Sequence, residues 1–139
     1  MPTQLRMSDI IRRDPVTLPP AATVQQACEV MHEQQAEAVV VVDDAHQPLG
    51  IFTGRDLIRL LAEGRDPSHA QLRAVMTKDP AHLAPGDGVA EALRLMRDGG
   101  FRHVPVVEDG RLVGMVSQTD LGRFEADLPE VETRICERR

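Results

Sequence analysis

The chain has 139 residues, 42% of them hydrophobic and 27% charged, and this composition is typical of an ordinary globular protein of about one domain. Its formal net charge of −6 argues against general attraction to nucleic acid or to an anionic membrane surface, and no apolar run approaches the roughly 20 residues that cross a bilayer. With three Phe and neither Trp nor Tyr, the sequence also argues against a binding face built on aromatic stacking.

Neither the N-terminus nor the cysteines indicate export. The first residues carry no apolar segment of the kind found in a signal peptide. Cys28 and Cys136 lie far apart and outside any CxxC pair, so free thiols in a reducing compartment are the simplest interpretation. The sequence therefore predicts a cytoplasmic protein with no membrane or nucleic-acid partner.

The first half of the chain predicts an extended entry segment followed by a helix, two strands and a second helix. Thr23 is a good N-cap for the first helix, and the residues after it repeat an apolar side chain at helical intervals. The unbroken apolar run Ala38–Val42 predicts a strand covered on both faces. A polar turn at 43–48 leads into a strand over 49–52, and a helix is predicted to start after Thr53.

The second half of the chain repeats this order of elements. Two glycines at 99–100 end a helix that has the same apolar spacing. Strands are predicted at 103–107 and 112–116, and the Asp-Gly pair between them is typical of a tight hairpin turn. Pro105 cannot donate a ladder hydrogen bond, so its strand is predicted at the edge of a sheet or with a bulge.

One short motif occurs twice. Residues 50–56 (GIFTGRD) return as 114–120 (GMVSQTD), so glycine, hydroxyl and carboxylate each recur 64 positions later. The Asp-Pro pair at 14–15 returns at 79–80, which is 65 positions later, so the second copy has lost one residue in a turn, where a loss costs least. An internal repeat of this length indicates two copies of one unit. The predicted boundaries are 1–66 for the first copy with its entry segment, 67–124 for the second copy and 125–139 for a charged tail.

The repeat resembles a known family. The β-α-β-β-α order, the Asp-Pro entry and the Gly-x-x-[Ser/Thr]-x-x-Asp endings resemble tandem CBS domains, a pair called a Bateman module, over about residues 5–124. The similarity is to the stand-alone bacterial members. It implies an α/β (α+β) fold of two pseudo-symmetric repeats, with the sheets packed together and the helices outside. It also implies clefts at the junction of the repeats, which in many members bind AMP, ADP, ATP, S-adenosylmethionine or a dinucleotide.

The same resemblance implies a regulatory module that is not an enzyme and requires no cofactor. An adenine nucleotide would bind in the cleft as the regulatory ligand and shift the geometry of a homodimer, which an unknown protein target would read. The alternative is an assembly module without a ligand, in which apolar helix faces serve only for dimerisation.

Two pairs of residues match the family's nucleotide-binding pattern, namely Thr53 with Asp56 and Ser117 with Asp120. In that pattern the Asp accepts hydrogen bonds from ribose hydroxyls, while the hydroxyl side chain and the helix N-terminus meet phosphate. A hydroxyl followed three residues later by an acid is also a signature of helix N-terminal capping. Capping explains both pairs without any ligand, so both interpretations stay open.

Basic residues distinguish the second copy. Arg102 and His103 stand just before its strand, where nucleotide-binding relatives often place basic residues for phosphate, and an Arg fork suits phosphate geometry. A surface Arg and a strand-edge His are the alternative interpretation. The first copy has Glu37 and Ala38 there, and the carboxylate would repel phosphate. We therefore predict one competent nucleotide site and one that is poor or differently used.

Three weaker candidates complete the predicted nucleotide site. Arg55 follows Thr53 closely enough to assist with phosphate, although it also fits a solvated residue of a first helical turn. Thr17 and His82 occupy the entry segments, where relatives use backbone groups to read adenine.

Other chemistries lack their sequence signals. The five histidines show no metal-ligand spacing, which predicts no metal site. No Ser-His-Asp order, phosphate-cradling glycine loop or nucleophilic cysteine signature is present, so no catalytic residue is predicted.

Overall fold

The computed structural model describes residues 6–11 and 15–122. The predictions for Asp14, Cys136 and the tail at 125–139 lie outside these residues. In chain order, the helices and strands are α1 (Met7–Ile10), β1 (Thr17–Leu18), α2 (Val24–Gln34), β2 (Ala38–Val42), β3 (Pro48–Thr53), α3 (Gly54–Ala62), α4 (Leu72–Val75), β4 (Thr77–Lys78), α5 (Val89–Gly99), β5 (His103–Glu108), β6 (Arg111–Ser117) and α6 (Gln118–Gly122). This order confirms the predicted α/β (α+β) class and adds the short elements α1, α4 and β4.

The described residues form two compact units. The first unit contains residues 15–80 with 110–112, and the second contains the described parts of 6–14, 81–109 and 113–122. The N-terminal helix belongs to the second unit because the Met7 backbone N–H donates to the Asp87 carbonyl at 2.8 Å. Segment 67–80 remains with the first unit. The bounds of these compact units therefore differ from the predicted repeat boundaries at 1–66 and 67–124. Those boundaries remain a prediction, because a compact unit need not coincide with a sequence repeat.

The first unit is built on a four-stranded sheet in the order β1-β2-β3-β4. β1 runs parallel to β2, and the other two pairs are antiparallel. Every residue of β2 is buried, as the unbroken apolar run predicts. Phe52 of β3 is one of the buried residues of the core on this sheet, and helices α2, α3 and α4 contribute buried side chains to the same core.

Helix α2 begins where the sequence predicts. The Thr23 hydroxyl accepts a hydrogen bond from the Gln26 N–H at 3.1 Å, and the Gln26 side chain accepts one from the Thr23 N–H at 2.8 Å. This reciprocal pair is a capping box and satisfies two N–H groups that the first turn leaves unpaired. Gln35 ends the helix in the left-handed region with φ 53°.

The second unit contains β5 and β6 from Val113 onward, which form a hairpin, and helix α5 contributes to the same core. Gly100 ends α5 in the left-handed region, where the absence of a Cβ removes the steric penalty. Asp109 and Gly110 both have positive φ, 53° and 80°, as the predicted two-residue hairpin turn requires.

The strand that contains Pro105 is sparsely paired along one side, as predicted for a strand at the edge of a sheet. β5 pairs with β6 on one side, and on the other side the described residues form only a single parallel bridge, Leu83 with Val106. The Pro105 carbonyl accepts from the Leu83 N–H at 3.0 Å, and the Val107 N–H donates to the Leu83 carbonyl at 2.8 Å. Within 6–11 and 15–122, no helix is long and apolar enough to cross a membrane.

Candidate functional site

The first copy of the repeated motif lies where β3 passes into α3. Thr53 has extended backbone angles and is the N-cap of the helix, which places Asp56 in the first turn. The Asp56 Oδ2 atom accepts a hydrogen bond from the Thr53 N–H at 3.0 Å. An acid in this position also interacts favourably with the helix dipole.

The Asp56 carboxylate has partners beyond the cap. Arg59 Nη2 lies 2.6 Å from Oδ1, and the Thr77 hydroxyl donates to the same oxygen at 3.2 Å. The Asp56 side chain is 3% exposed, whereas that of Arg59 is 55% exposed. A buried carboxylate needs such charged and polar partners to offset its desolvation. The Asp56 carboxylate therefore connects β4 to the junction of β3 and α3.

The second copy of the motif forms a complete capping box. The Ser117 N–H donates to Asp120 Oδ2 at 3.1 Å, and the Asp120 N–H donates to the Ser117 hydroxyl at 3.0 Å. Asp120 is buried, as Asp56 is. Helix capping by both acids is thus observed, whereas contact with a ligand stays a prediction.

The other predicted residues of the first copy lie around the same sheet. Thr17 in β1 pairs with Val40 of β2, and Ala38 at the start of β2 pairs with Thr53 of β3. Thr17 and Thr53 are therefore on the two strands that flank β2, two residue positions apart along it. Arg55 is exposed in the first turn of α3.

The structure brings the basic pair of the second copy close to its capping box. The Arg102 carbonyl accepts a hydrogen bond from the Gln118 N–H at 2.8 Å, so Arg102 lies beside the residue that follows Ser117. Arg102 is exposed and His103 is half-buried. His82 is exposed and precedes Leu83, which bridges to β5 farther along the strand.

The corresponding place in the first copy carries the opposite charge. Ala38 is buried opposite Thr53, and Glu37 is exposed just before it. Glu37 thus precedes the strand residue that pairs with Thr53, and the backbone of Arg102 contacts the residue after Ser117. The predicted effect of this difference in charge on a ligand stays a prediction.

Two contributors to the first site do not follow from the motif. Arg59 is three residues after Asp56, and helical spacing alone indicates that they share a face. Thr77 is 21 residues after Asp56, and no local pattern connects them.

An exposed turn holds a second group of polar side chains. The Ser68 hydroxyl donates to Asp66 Oδ1 at 2.8 Å, and His69 Nδ1 lies 2.8 Å from Asp66 Oδ2. Hydrogen bonds from the Ser68 N–H and hydroxyl, and then from His69, lower the pKa of Asp66 to about 2. The Ser68 hydroxyl also lies 3.2 Å from His69 Nδ1. The same ring nitrogen therefore faces both the serine and the carboxylate, whereas a hydrolase triad uses one ring nitrogen for each.

For the predictions on cysteines and metal sites, the structure provides information only within the described part of the chain. Burial, followed by the charge of Glu29, raises the pKa of the Cys28 thiol, which lowers its thiolate fraction. Among residues 6–11 and 15–122, no group of three His, Cys, Asp or Glu side chains could hold a metal ion. The absence of a metal site from the whole chain stays a prediction.

Comparison with known proteins identifies the repeat. The model of the CBS domain matches residues 7–63 and again residues 72–127. An uncharacterised protein of Methanopyrus kandleri is 33% identical over 121 residues, which cover 86% of this chain and 62% of that protein. The chain thus spans less than two thirds of the length of that relative.

Solved structures share the fold. A CBS domain protein from Pyrobaculum aerophilum, complexed with AMP, is 28% identical with a TM-score of 0.78, covering 84% of this chain and 89% of that one. A CBS domain pair in complex with 5′-methylthioadenosine and S-adenosyl-L-methionine has a TM-score of 0.83 at 22% identity, covering 90% and 98%. The repeated family match and the shared fold show that this chain belongs to the CBS domain family and carries that domain twice.

Proposed function

We propose that the chain is a regulatory, non-enzymatic module that senses an adenosine-containing ligand. The observation that carries this proposal is the double family match together with the AMP complex of the Pyrobaculum aerophilum relative. AMP, ADP, ATP and S-adenosylmethionine are the candidate ligands, and no cofactor is required. A ligand acts by binding one conformational state more tightly than another, and a separate protein target would read the change.

The charge around the second motif supports a phosphate contact there. Arg102 is exposed beside the start of α6, and His103 is next to it on β5. A guanidinium presents a planar fork of donors that suits phosphate. Glu37 occupies the counterpart position of the first copy, where its carboxylate would repel the ligand. We therefore expect one AMP of measurable affinity per chain.

The first experiment is a thermal-shift panel with AMP, ADP, ATP, S-adenosylmethionine and NAD. A ligand that binds only the native state at about a hundred times its Kd adds roughly 2.7 kcal/mol, which corresponds to a shift of several degrees for a domain of this size. A shift with one ligand supports the sensor. No shift on protein that mass spectrometry shows to be free of co-purified small molecules favours the assembly module.

Arg102→Ala and Asp120→Ala separate the two parts of the proposed site. Calorimetry should show that Asp120→Ala no longer binds AMP. Arg102→Ala should bind AMP more weakly and adenosine with unchanged affinity, because only the phosphate contact is removed. Arg94→Ala is the matched control, since Arg94 is exposed on α5 of the same unit. Undiminished AMP affinity in Asp120→Ala would contradict its ribose role.

Self-association is the second part of the proposal. Ile58 and Leu61 are 69% and 53% exposed and lie three residues apart on α3, so they form an apolar stripe on one helix face. We expect a homodimer that Leu61→Glu weakens, whereas Gln34→Glu on α2 leaves it intact. Light scattering at micromolar concentration tests this, and a monomeric parent protein would contradict it.

The assembly module remains the second candidate function because both acids already have internal partners. Asp56 and Asp120 are buried and engaged in helix caps. This candidate predicts lower stability and no ligand sensitivity in variants of either acid. The cytoplasmic location and the absence of nucleic-acid and membrane partners stay predictions of the sequence.

A further inference from the structure

We propose that the Thr77 hydroxyl is an internal competitor for the Asp56 carboxylate and keeps the first motif from accepting a ligand's hydroxyl groups. The inference rests on the proposed function, because it treats the first motif as an adenosine-ligand site that is held closed. It identifies Thr77 as a positioning residue, acting through Asp56.

The Asp56 carboxylate is close to fully occupied. Oδ2 accepts from the Thr53 N–H at 3.0 Å and lies 3.4 Å from the Thr53 hydroxyl. Oδ1 lies 2.6 Å from Arg59 Nη2 and 3.2 Å from the Thr77 hydroxyl. An ionised carboxylate offers about four acceptor positions, and this side chain is 3% exposed. A ribose diol can therefore reach the carboxylate only by displacing one of these partners.

Of the two partners of Oδ1, Thr77 is displaced at the lower cost. The Thr53 N–H belongs to the helix backbone, and the Arg59 contact is short and charge-assisted. The Thr77 hydroxyl is neutral, and its 3.2 Å distance exceeds the usual range for O–H···O bonds. Thr77 is also exposed on a two-residue strand at the outer edge of the sheet, so its freed hydroxyl passes into water.

The motif itself positions this competitor. Gly50, the first residue of the motif, pairs with Lys78, and Ile51 pairs with Thr77. A Cβ at Gly50 would lie 2.5 Å from Met76 Sδ and 2.8 Å from the Thr77 carbonyl oxygen, so only glycine allows β4 to approach this closely. The glycine and the acid of one motif thus both serve to dock β4.

Thr77→Val provides the test, because valine keeps the shape and removes the hydroxyl. AMP is titrated into the full chain by calorimetry up to millimolar concentration. We expect a second AMP per chain, or about a three- to tenfold lower Kd for the weaker site, which is the usual effect of removing one competing hydrogen bond. Thr77→Ser, which keeps the hydroxyl, should behave as the parent protein, and Asp56→Asn combined with Thr77→Val should lose the gain.

The direction of the change separates this role from a structural one. A hydroxyl that only supports the fold would, when removed, lower the melting temperature and leave AMP affinity unchanged or weaker. If the parent protein binds AMP and Thr77→Val binds it with the same stoichiometry and affinity, Thr77 is not a competitor, while the proposed function stands. Absence of binding of AMP and of every other ligand in the thermal-shift panel, in the parent protein and in every variant, would overturn both.

Discussion

The two copies differ most clearly where the entry segment meets the central strand. In the first copy, the Val40 N–H donates to the Val16 carbonyl at 2.9 Å, and β1 pairs with β2 at Thr17–Val40 and Leu18–Val41. The residue 65 positions after Val40 is Pro105, which has no N–H.

The consequence is that the second copy keeps only half of this pairing. Leu83 with Val106 is the counterpart of Leu18 with Val41, and it survives as an isolated bridge. The counterpart of Val16 is Ala81, whose carbonyl cannot receive a ladder bond from Pro105. The missing N–H of Pro105 thus accounts for the shorter pairing between the entry segment and β5.

The largest expected effect comes from exchanging these two residues. Val40→Pro removes a ladder bond inside a fully buried strand, so we expect the free energy of unfolding to fall by about 2–4 kcal/mol. Pro105→Val restores an N–H that can donate a ladder bond, but it also raises the conformational entropy of the unfolded state. Because these effects oppose each other, the free energy of unfolding should change by less than about 1 kcal/mol. Urea denaturation measures both, and equal losses of stability would show that this N–H matters no more in the first copy than in the second.

The next largest effect is expected at Gly50, where the absence of a Cβ allows β4 to lie close to β3. Gly50→Ala forces Met76 and the Thr77 backbone to move, which should cost about 1–3 kcal/mol. Gly54→Ala is the control, since a Cβ there meets nothing within 4 Å and alanine favours the helix by up to about 1 kcal/mol. If both variants unfold at the same urea concentration, the close approach of β4 is not what requires glycine at position 50.

Loss of the caps should have a smaller effect. Asp120→Ala removes the acceptor of the Ser117 N–H, at an expected cost of about 0.5–2 kcal/mol. Asp56→Ala should cost at least as much, because Arg59 and Thr77 lose their acceptor as well. Thermal unfolding without ligand measures both, and unchanged stability in either variant would contradict the capping role of that acid.

The smallest effect belongs to the exposed turn of the first unit. The pKa of Asp66, near 2 rather than the ordinary 3.8, means that its hydrogen bonds favour the folded state above about pH 3.8 and that this contribution is lost as pH falls toward 2. Ser68→Ala removes the hydroxyl and keeps the N–H, so the pKa of Asp66 should rise only part of the way. NMR titration of the Asp66 carboxyl carbon tests this, and an unchanged pKa would show that the hydroxyl does not contribute.

Local patterns predict the longer helices and strands and the caps at Thr53 and Ser117, although not the short elements α1, α4 and β4. The N-cap at Thr23, Gly100 after α5 and the Asp109-Gly110 turn depend on residues that are neighbours or one helical turn apart, and each is present as expected. The weak pairing of β5 likewise follows from Pro105. These features are predictable because a cap or a turn contains all of its own partners.

Contacts between distant segments are not predictable in this way. The Thr77 contact with Asp56 crosses 21 residues, and the Met7 contact with Asp87 crosses 80. No local spacing encodes either of them, because each depends on where the sheet and the linking segment place two separate stretches of chain.

The sequence by itself determined the family, the repeated order of elements and the positions of the two capping acids, because spacing and residue type suffice for local hydrogen bonds. Only the tertiary structure decided that α1 packs with the second copy, that 67–80 stays with the first, and that Asp56 is already occupied by Thr77 and Arg59. The physical reason is that burial and hydrogen-bond competition at a carboxylate depend on every segment that reaches it in space.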